Sequence, residues 1–186
     1  SGPGYGSERL KDDINKNNNP WWYYPYTDKY GITDERAFWY DKLGFFNVIN
    51  NGIGRPDHEN IKMALASKDS EYKTFLRASI GMFGYYAGPE KHIIDYHALA
   101  DAFLARLPNT DKPDPGWRPG HNERLLPMMY FETIDSNKNI IEDLSLRDYY
   151  DKLSIVIKNN IFSDGRFTEI WKFNTGAYNH LIHNNY

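Results

Sequence analysis

The amino-acid sequence predicts a small, helix-rich α/β domain with a short, parallel or mixed sheet flanked by helices. Three observations predict it. Two short β-rich runs, residues 72–79 and 91–95, stand on either side of a Gly-rich connection. Apolar residues recur at helical spacing before and after them. The length of 186 residues suits one domain. A chain of that size buries roughly 70% of its unfolded surface and needs no metal or disulfide to fold.

Residues 1–19 are rich in Gly, Asp and Asn and lack periodicity, so they are expected to form a flexible linker or arm. A single soluble α/β domain is expected over residues 20–186. It begins at Trp21-Trp22-Tyr23-Tyr24-Pro25-Tyr26, too aromatic to leave in water and too Pro-bounded for a helix. An extended segment that packs on the body or binds something is expected there. Thr33 suits an N-cap, and Asp34 and Glu35 suit the positive end of a helix running to about residue 40 or 43. Gly52, Gly54 and Pro56 end that region, and a second helix is expected over about 58–67, with Ile61, Met63 and Leu65 as its apolar contacts.

The run over 72–79 and the segment Lys91 to Asp95, with β-branched Ile93 and Ile94 at its centre, are the expected strands. The Gly-rich IGMFGYYAGPE between them is expected to turn the chain. After the second strand, DAFLARL over residues 101–107 has helical spacing, with Asp101 near its start. Residues 110–120 hold three prolines and two aspartates and so form a loop. The rest is expected to be helical, over about 127–134, 144–157, 164–173 and 178–183, with no internal repeat.

Composition narrows the function. With 22 Lys+Arg against 25 Asp+Glu and a net charge of -3, the chain has no basic face for nucleic acid and no polybasic membrane patch. Cysteine is absent, which excludes disulfides, thiolate metal sites and cysteine nucleophiles. No stretch approaches the roughly 18–20 apolar residues of a membrane span. Ser1-Gly2 reads as a cloning scar, which leaves room for a targeting or membrane segment upstream. Aromatic residues are abundant, with 15 Tyr, 5 Trp and 10 Phe making 16% of the chain. Such side chains either fill a core or present flat faces to sugar rings.

Ile80-Gly81-Met82-Phe83-Gly84-Tyr85-Tyr86-Ala87-Gly88-Pro89, followed by His92-Ile93-Ile94-Asp95 and by Leu99 to Pro108, resembles a pattern in large bacterial polytopic glycosyltransferases of the GT-C type. These are similar to arabinofuranosyltransferases and protein mannosyltransferases, which use lipid-linked sugars. In that pattern a strand leads into a Gly, small, Gly, aromatic turn, a second strand ends in Asp, and a Leu-x-Asp step opens a helix. Gly31 to Arg36, Trp117 to His121 and Asn174-Thr175-Gly176 also look like pieces of the family's tail, while Ala102 departs from it where Pro is expected.

The resemblance implies an accessory domain on the periplasmic face of the inner membrane. Its partner is the chain's own upstream transmembrane region, with glycan or lipid-linked sugar as ligand. Catalysis belongs to the membrane part, so the fragment has no catalytic residue, metal or cofactor of its own.

The residues themselves point to two candidate binding clusters. Asp95, at the end of a strand, joins Tyr85, Tyr86, His97 and Asp101 as walls of a polar, aromatic cleft for sugar hydroxyls; otherwise Asp95 and Asp101 cap turns. Trp117, Arg118, His121 and Arg124, with Glu123, crowd behind the Pro-rich loop, either as a stacking and anion-binding site or as a salt-bridged loop.

Other chemistries fit less well. A hydrolase would need two carboxylates from Asp95, Asp101, Glu123 and Glu132 at a defined separation. The Asp135 to Asn139 run lacks the Gly and Glu of a calcium loop, and His180 and His183 lack the Glu of a zinc-protease helix. An independent carbohydrate-binding or interaction module remains the alternative.

Overall fold

The computed structural model describes residues 43–50, 54–109 and 124–183. The expected arm over 1–19, the Trp21 to Tyr26 segment, the helix after Thr33 and the Pro-rich loop lie outside those residues. Among the described residues the protein has seven α-helices and a two-stranded parallel sheet, a mixed α/β architecture as the sequence predicts. These residues fall into two compact units.

The first unit includes residues 43–70 and 81–88 among those described. Its helices are α1 (Phe45–Asn50), α2 (Glu59–Lys68) and most of α3 (Ile80–Ala87). α2 starts where His58 Nδ1 accepts the Asn60 N–H at 3.1 Å, and Glu59 and Lys68 match the two ends of its dipole. Ile61, Ala64 and Ser67 form its buried face.

α3 corrects the expected Gly-rich turn. Two glycines disfavour a helix, at up to about 1 kcal/mol each, yet Phe83 and Ala87 are one turn apart and both buried, and that shared face outweighs propensity. Gly88, at φ +90°, ends the helix in a conformation that favours glycine.

The second unit holds residues 71–80, 89–109 and 124–183 of those described. Strands β1 (Thr74–Arg77) and β2 (His92–Asp95) run parallel, with Thr74 opposite His92 and Arg77 opposite Asp95. Parallel neighbours need a crossover, and α3 lies in that stretch of chain. The predicted helix over 101–107 is only a single 3-10 turn at Leu104–Arg106. The four remaining helices are α4 (Tyr130–Ser136), α5 (Leu144–Lys158), α6 (Arg166–Asn174) and α7 (His180–His183), each within a few residues of its predicted place.

α5 organises this unit. Asp143 caps it, accepting the Leu146 N–H at 2.8 Å, and Leu146, Tyr149, Tyr150 and Leu153 repeat at i, i+3, i+4 and i+7 to bury one stripe. α5 packs against α6 and α7, and α4 packs against β1. Ile94, Phe103, Leu104, Tyr130 and Ile141 complete the same core. The α4–α5 connection, the stretch that begins like a calcium loop, is held by protein groups: Thr133 Oγ1 accepts the Ile140 N–H at 3.0 Å, and Asn139 Nδ2 donates to the Arg147 carbonyl at 2.8 Å.

Candidate functional site

The site grows from the loop that leaves β2. Asp95 ends that strand and is 1% exposed, so its carboxylate must be satisfied inside the protein. One oxygen accepts the His97 N–H at 3.1 Å; the other accepts those of Leu99 and Ala100 at 3.0 Å each. Ala98 sits at φ +62°, a left-handed position that such a carboxylate-pinned turn can hold. Tyr96 and His97 stack with ring centroids 4.5 Å apart, and the Tyr96 carbonyl accepts the Arg124 N–H at 3.2 Å. Asp95 therefore shapes the loop with both of its oxygens.

Asp101 closes the same loop and does two jobs. Its Oδ1 accepts the N–H groups of Phe103 and Leu104 at 2.9 and 2.8 Å, which caps the 3-10 turn. The Tyr130 hydroxyl, from α4, lies 3.1 and 3.0 Å from the two carboxylate oxygens and donates to them. Burial pushes the Asp101 carboxyl above its ordinary pKa, while the Leu104 amide, the Tyr130 hydroxyl and the Phe103 amide pull the other way. Burial and the neighbouring Asp101 charge raise the Tyr130 phenol well above its usual range, so it remains a donor.

Above this pair opens a cleft of about 310 Å³, at the small end of ligand pockets. Phe103, Tyr130 and Tyr150 line it and are almost wholly buried, so they form its floor. Phe103 packs on both tyrosines, with ring centroids 4.9 and 5.2 Å away. His92, Asn137 and Lys158 bring polar groups to the lining. Lys158 Nζ lies 5.3 Å from the centre of the Tyr150 ring and 3.4 Å from Asn137 Oδ1.

Partial desolvation lowers the His92 pKa, Asp101 opposes that shift, and Lys158 adds to it. Tyr150 is 3% exposed and its hydroxyl has no hydrogen-bond partner among the described residues. A buried hydroxyl left alone costs about 1–3 kcal/mol. An orphan of this kind is uncommon in a settled core.

Of the residues singled out from sequence, Asp101 lines this cleft, and Asp95, His97 and Arg124 belong to the same unit around the adjoining loop. Tyr85 and Tyr86 belong to the other unit, where they meet edge to face at 5.0 Å and Tyr85 is 80% exposed. Trp117, Arg118, His121 and Glu123 lie outside the described residues. His92, Tyr130, Asn137, Tyr150 and Lys158 were not singled out as site residues, because no motif spacing links them. A weak clue was the Tyr149-Tyr150 pair on the apolar stripe of α5, which places a phenol in a buried position.

No group of His, Asp and Glu among the described residues is placed to hold a metal ion. No helix among them is long and apolar enough to cross a membrane. Compared with protein families, curated proteins and solved structures, the chain matches none.

Proposed function

We propose that this chain is an extracytoplasmic accessory domain of a membrane-embedded glycosyltransferase that uses lipid-linked sugars, and that it helps hold the acceptor glycan or shape the active site. The observation that carries the reading is the cleft over Asp101 and Tyr130, which sets a floor of aromatic side chains beneath polar groups from His92, Asn137 and Lys158. Sugars ask for that combination, because their C–H faces are apolar and their edges carry hydroxyls. The segment Ile80 to Pro108 that resembles such enzymes runs through β2 and the Asp95 loop to the wall of this cleft.

The fragment is not catalytic by itself in this reading. Asp95 and Asp101 commit their oxygens to backbone amides and Tyr130, which removes two of the acids a small glycoside hydrolase would need. The domain's place is the periplasmic face of the bacterial inner membrane, and its partner is its own upstream membrane region. Phe162, Phe167 and Trp171 are exposed on α6 and the turn before it, apolar surface of the kind that marks interaction sites. The even charge balance argues against nucleic acid as a partner.

The gene upstream of Ser1 tests this. Many apolar helices in frame are expected, and a reading frame that starts near Gly4 without them refutes the membrane enzyme. If the frame starts there and the 186-residue chain still binds glycans, the independent carbohydrate-binding module is the correct reading.

A further inference from the structure

We propose that the ligand of the Asp101–Tyr130 cleft is a single sugar ring carrying an anionic group, a carboxylate or a phosphate, and that the Lys158 ammonium holds that group. The inference rests on the sugar-holding reading above and names the class of sugar.

Charge in the cleft is arranged unevenly. The Asp101 carboxyl is buried; its Oδ1 accepts two backbone amides, and the Tyr130 hydroxyl lies within hydrogen-bond distance of both oxygens. Lys158 is exposed at the last position of α5. Its ammonium has a long contact to Asn137 Oδ1 at 3.4 Å and the Tyr150 ring face, and no carboxylate pairs with it among the described residues. An ammonium carries three donors, so Lys158 keeps donors for an outside acceptor. His92 shares the lining, where partial burial and Lys158 lower its pKa and Asp101 opposes them. Tyr150 adds a buried hydroxyl that no group among the described residues satisfies.

The lining thus combines the Lys158 ammonium, with no carboxylate paired to it among the described residues, the Asp101 carboxyl held by Tyr130 and two amides, the His92 imidazole, the Tyr150 side chain and apolar side chains such as Ile93, Ile134 and Ile157. A volume of about 310 Å³ has room for a sugar ring. A neutral sugar would satisfy the hydroxyl-binding groups but leave the cation without a counter-charge. A bare anion would meet Lys158 but not the apolar floor. A sugar acid or sugar phosphate meets both.

The test follows amide and side-chain NMR shifts of the whole 186-residue chain, at pH 7 and low salt, as glucuronate, glucose 6-phosphate, glucose, acetate or inorganic phosphate is added. Low salt matters because an exposed ion pair is screened. Either charged sugar, or both, is expected to move the His92 and Tyr150 signals and to bind about threefold to fivefold tighter than glucose. Whichever of the two binds tighter tells carboxylate from phosphate.

Lys158→Gln should erase that preference, bringing the charged sugars down to the affinity the same variant has for glucose, while Lys158→Arg should keep it. Lys158 is exposed, so both variants should retain the parent spectrum outside the cleft. Equal binding of glucose and the charged sugars, unmoved by Lys158→Gln, overturns the anionic ligand and leaves the sugar site standing. Acetate or phosphate binding as tightly as the sugar acids overturns it as well, since Lys158 would then be a bare anion contact. If none of the five compounds moves the cleft signals, the sugar site falls and this inference falls with it.

Discussion

Replacing Tyr130 with Phe removes one hydroxyl from above the Asp101 carboxyl and leaves the ring packed between Phe103 and Tyr150. Asp101 keeps its two backbone donors at 2.9 and 2.8 Å, so the carboxyl is not abandoned. What is lost is one buried hydrogen bond spanning 29 residues of sequence, worth about 1–3 kcal/mol for an acceptor of this kind. For a chain of this size about 2 kcal/mol corresponds to a fall of roughly 4–8 °C in Tm.

Asp101→Asn should cost a similar amount, and the double variant should lose less than the sum, with a coupling of about 1–2 kcal/mol. Urea unfolding followed by fluorescence and circular dichroism measures all four corners of the cycle. The pH dependence adds a second reading. The folded Asp101 pKa is raised, so between its unfolded and folded values the native state holds a proton that the unfolded state has released. Its contribution to stability therefore falls as pH rises through that window and is flat above it, and Asp101→Asn should remove that fall. Additive single variants, or a Tyr130→Phe protein as stable as the parent, would show that the Asp101–Tyr130 contact does not hold α4 to the loop.

Three further outcomes are expected. Gly81→Ala should stabilise the protein by up to about 0.5–1 kcal/mol, because Gly81 lies in α3 and an added Cβ would meet nothing within 4 Å; destabilisation in a thermal melt would favour the Gly turn instead. Leu153→Ala should cost about 2–5 kcal/mol in denaturant unfolding, since Leu153 is 0% exposed in the main core, whereas Trp171→Ala, at a side chain 70% exposed, should stay within about 0.5 kcal/mol. In an NMR titration the His92 imidazole should ionise below the usual histidine range, rise in Lys158→Gln and fall further in Asp101→Asn; the opposite movements would mean that these three groups do not share the cleft.

Elements whose causes are local can be read directly along the chain. Asp143 as a cap and the spacing of Leu146, Tyr149, Tyr150 and Leu153 specify α5 within one stretch of chain, and Ile93-Ile94 specify β2 in the same way. Asp95 and Asp101 were legible as turn-capping carboxylates, because capping acts on amides a few residues away. α3 was not legible, since its two glycines report propensity while the buried face of Phe83 and Ala87 is decided by packing. The cleft depended on tertiary structure altogether. Its His92 comes from the end of a strand, Tyr130 from α4, and Tyr150 and Lys158 from α5, and only packing those elements around one core brings an acid, a cation and a buried phenol to one place. Spacing along the chain fixes which face of an element is apolar, but the convergence of side chains from three elements and a loop is a property of how those faces pack.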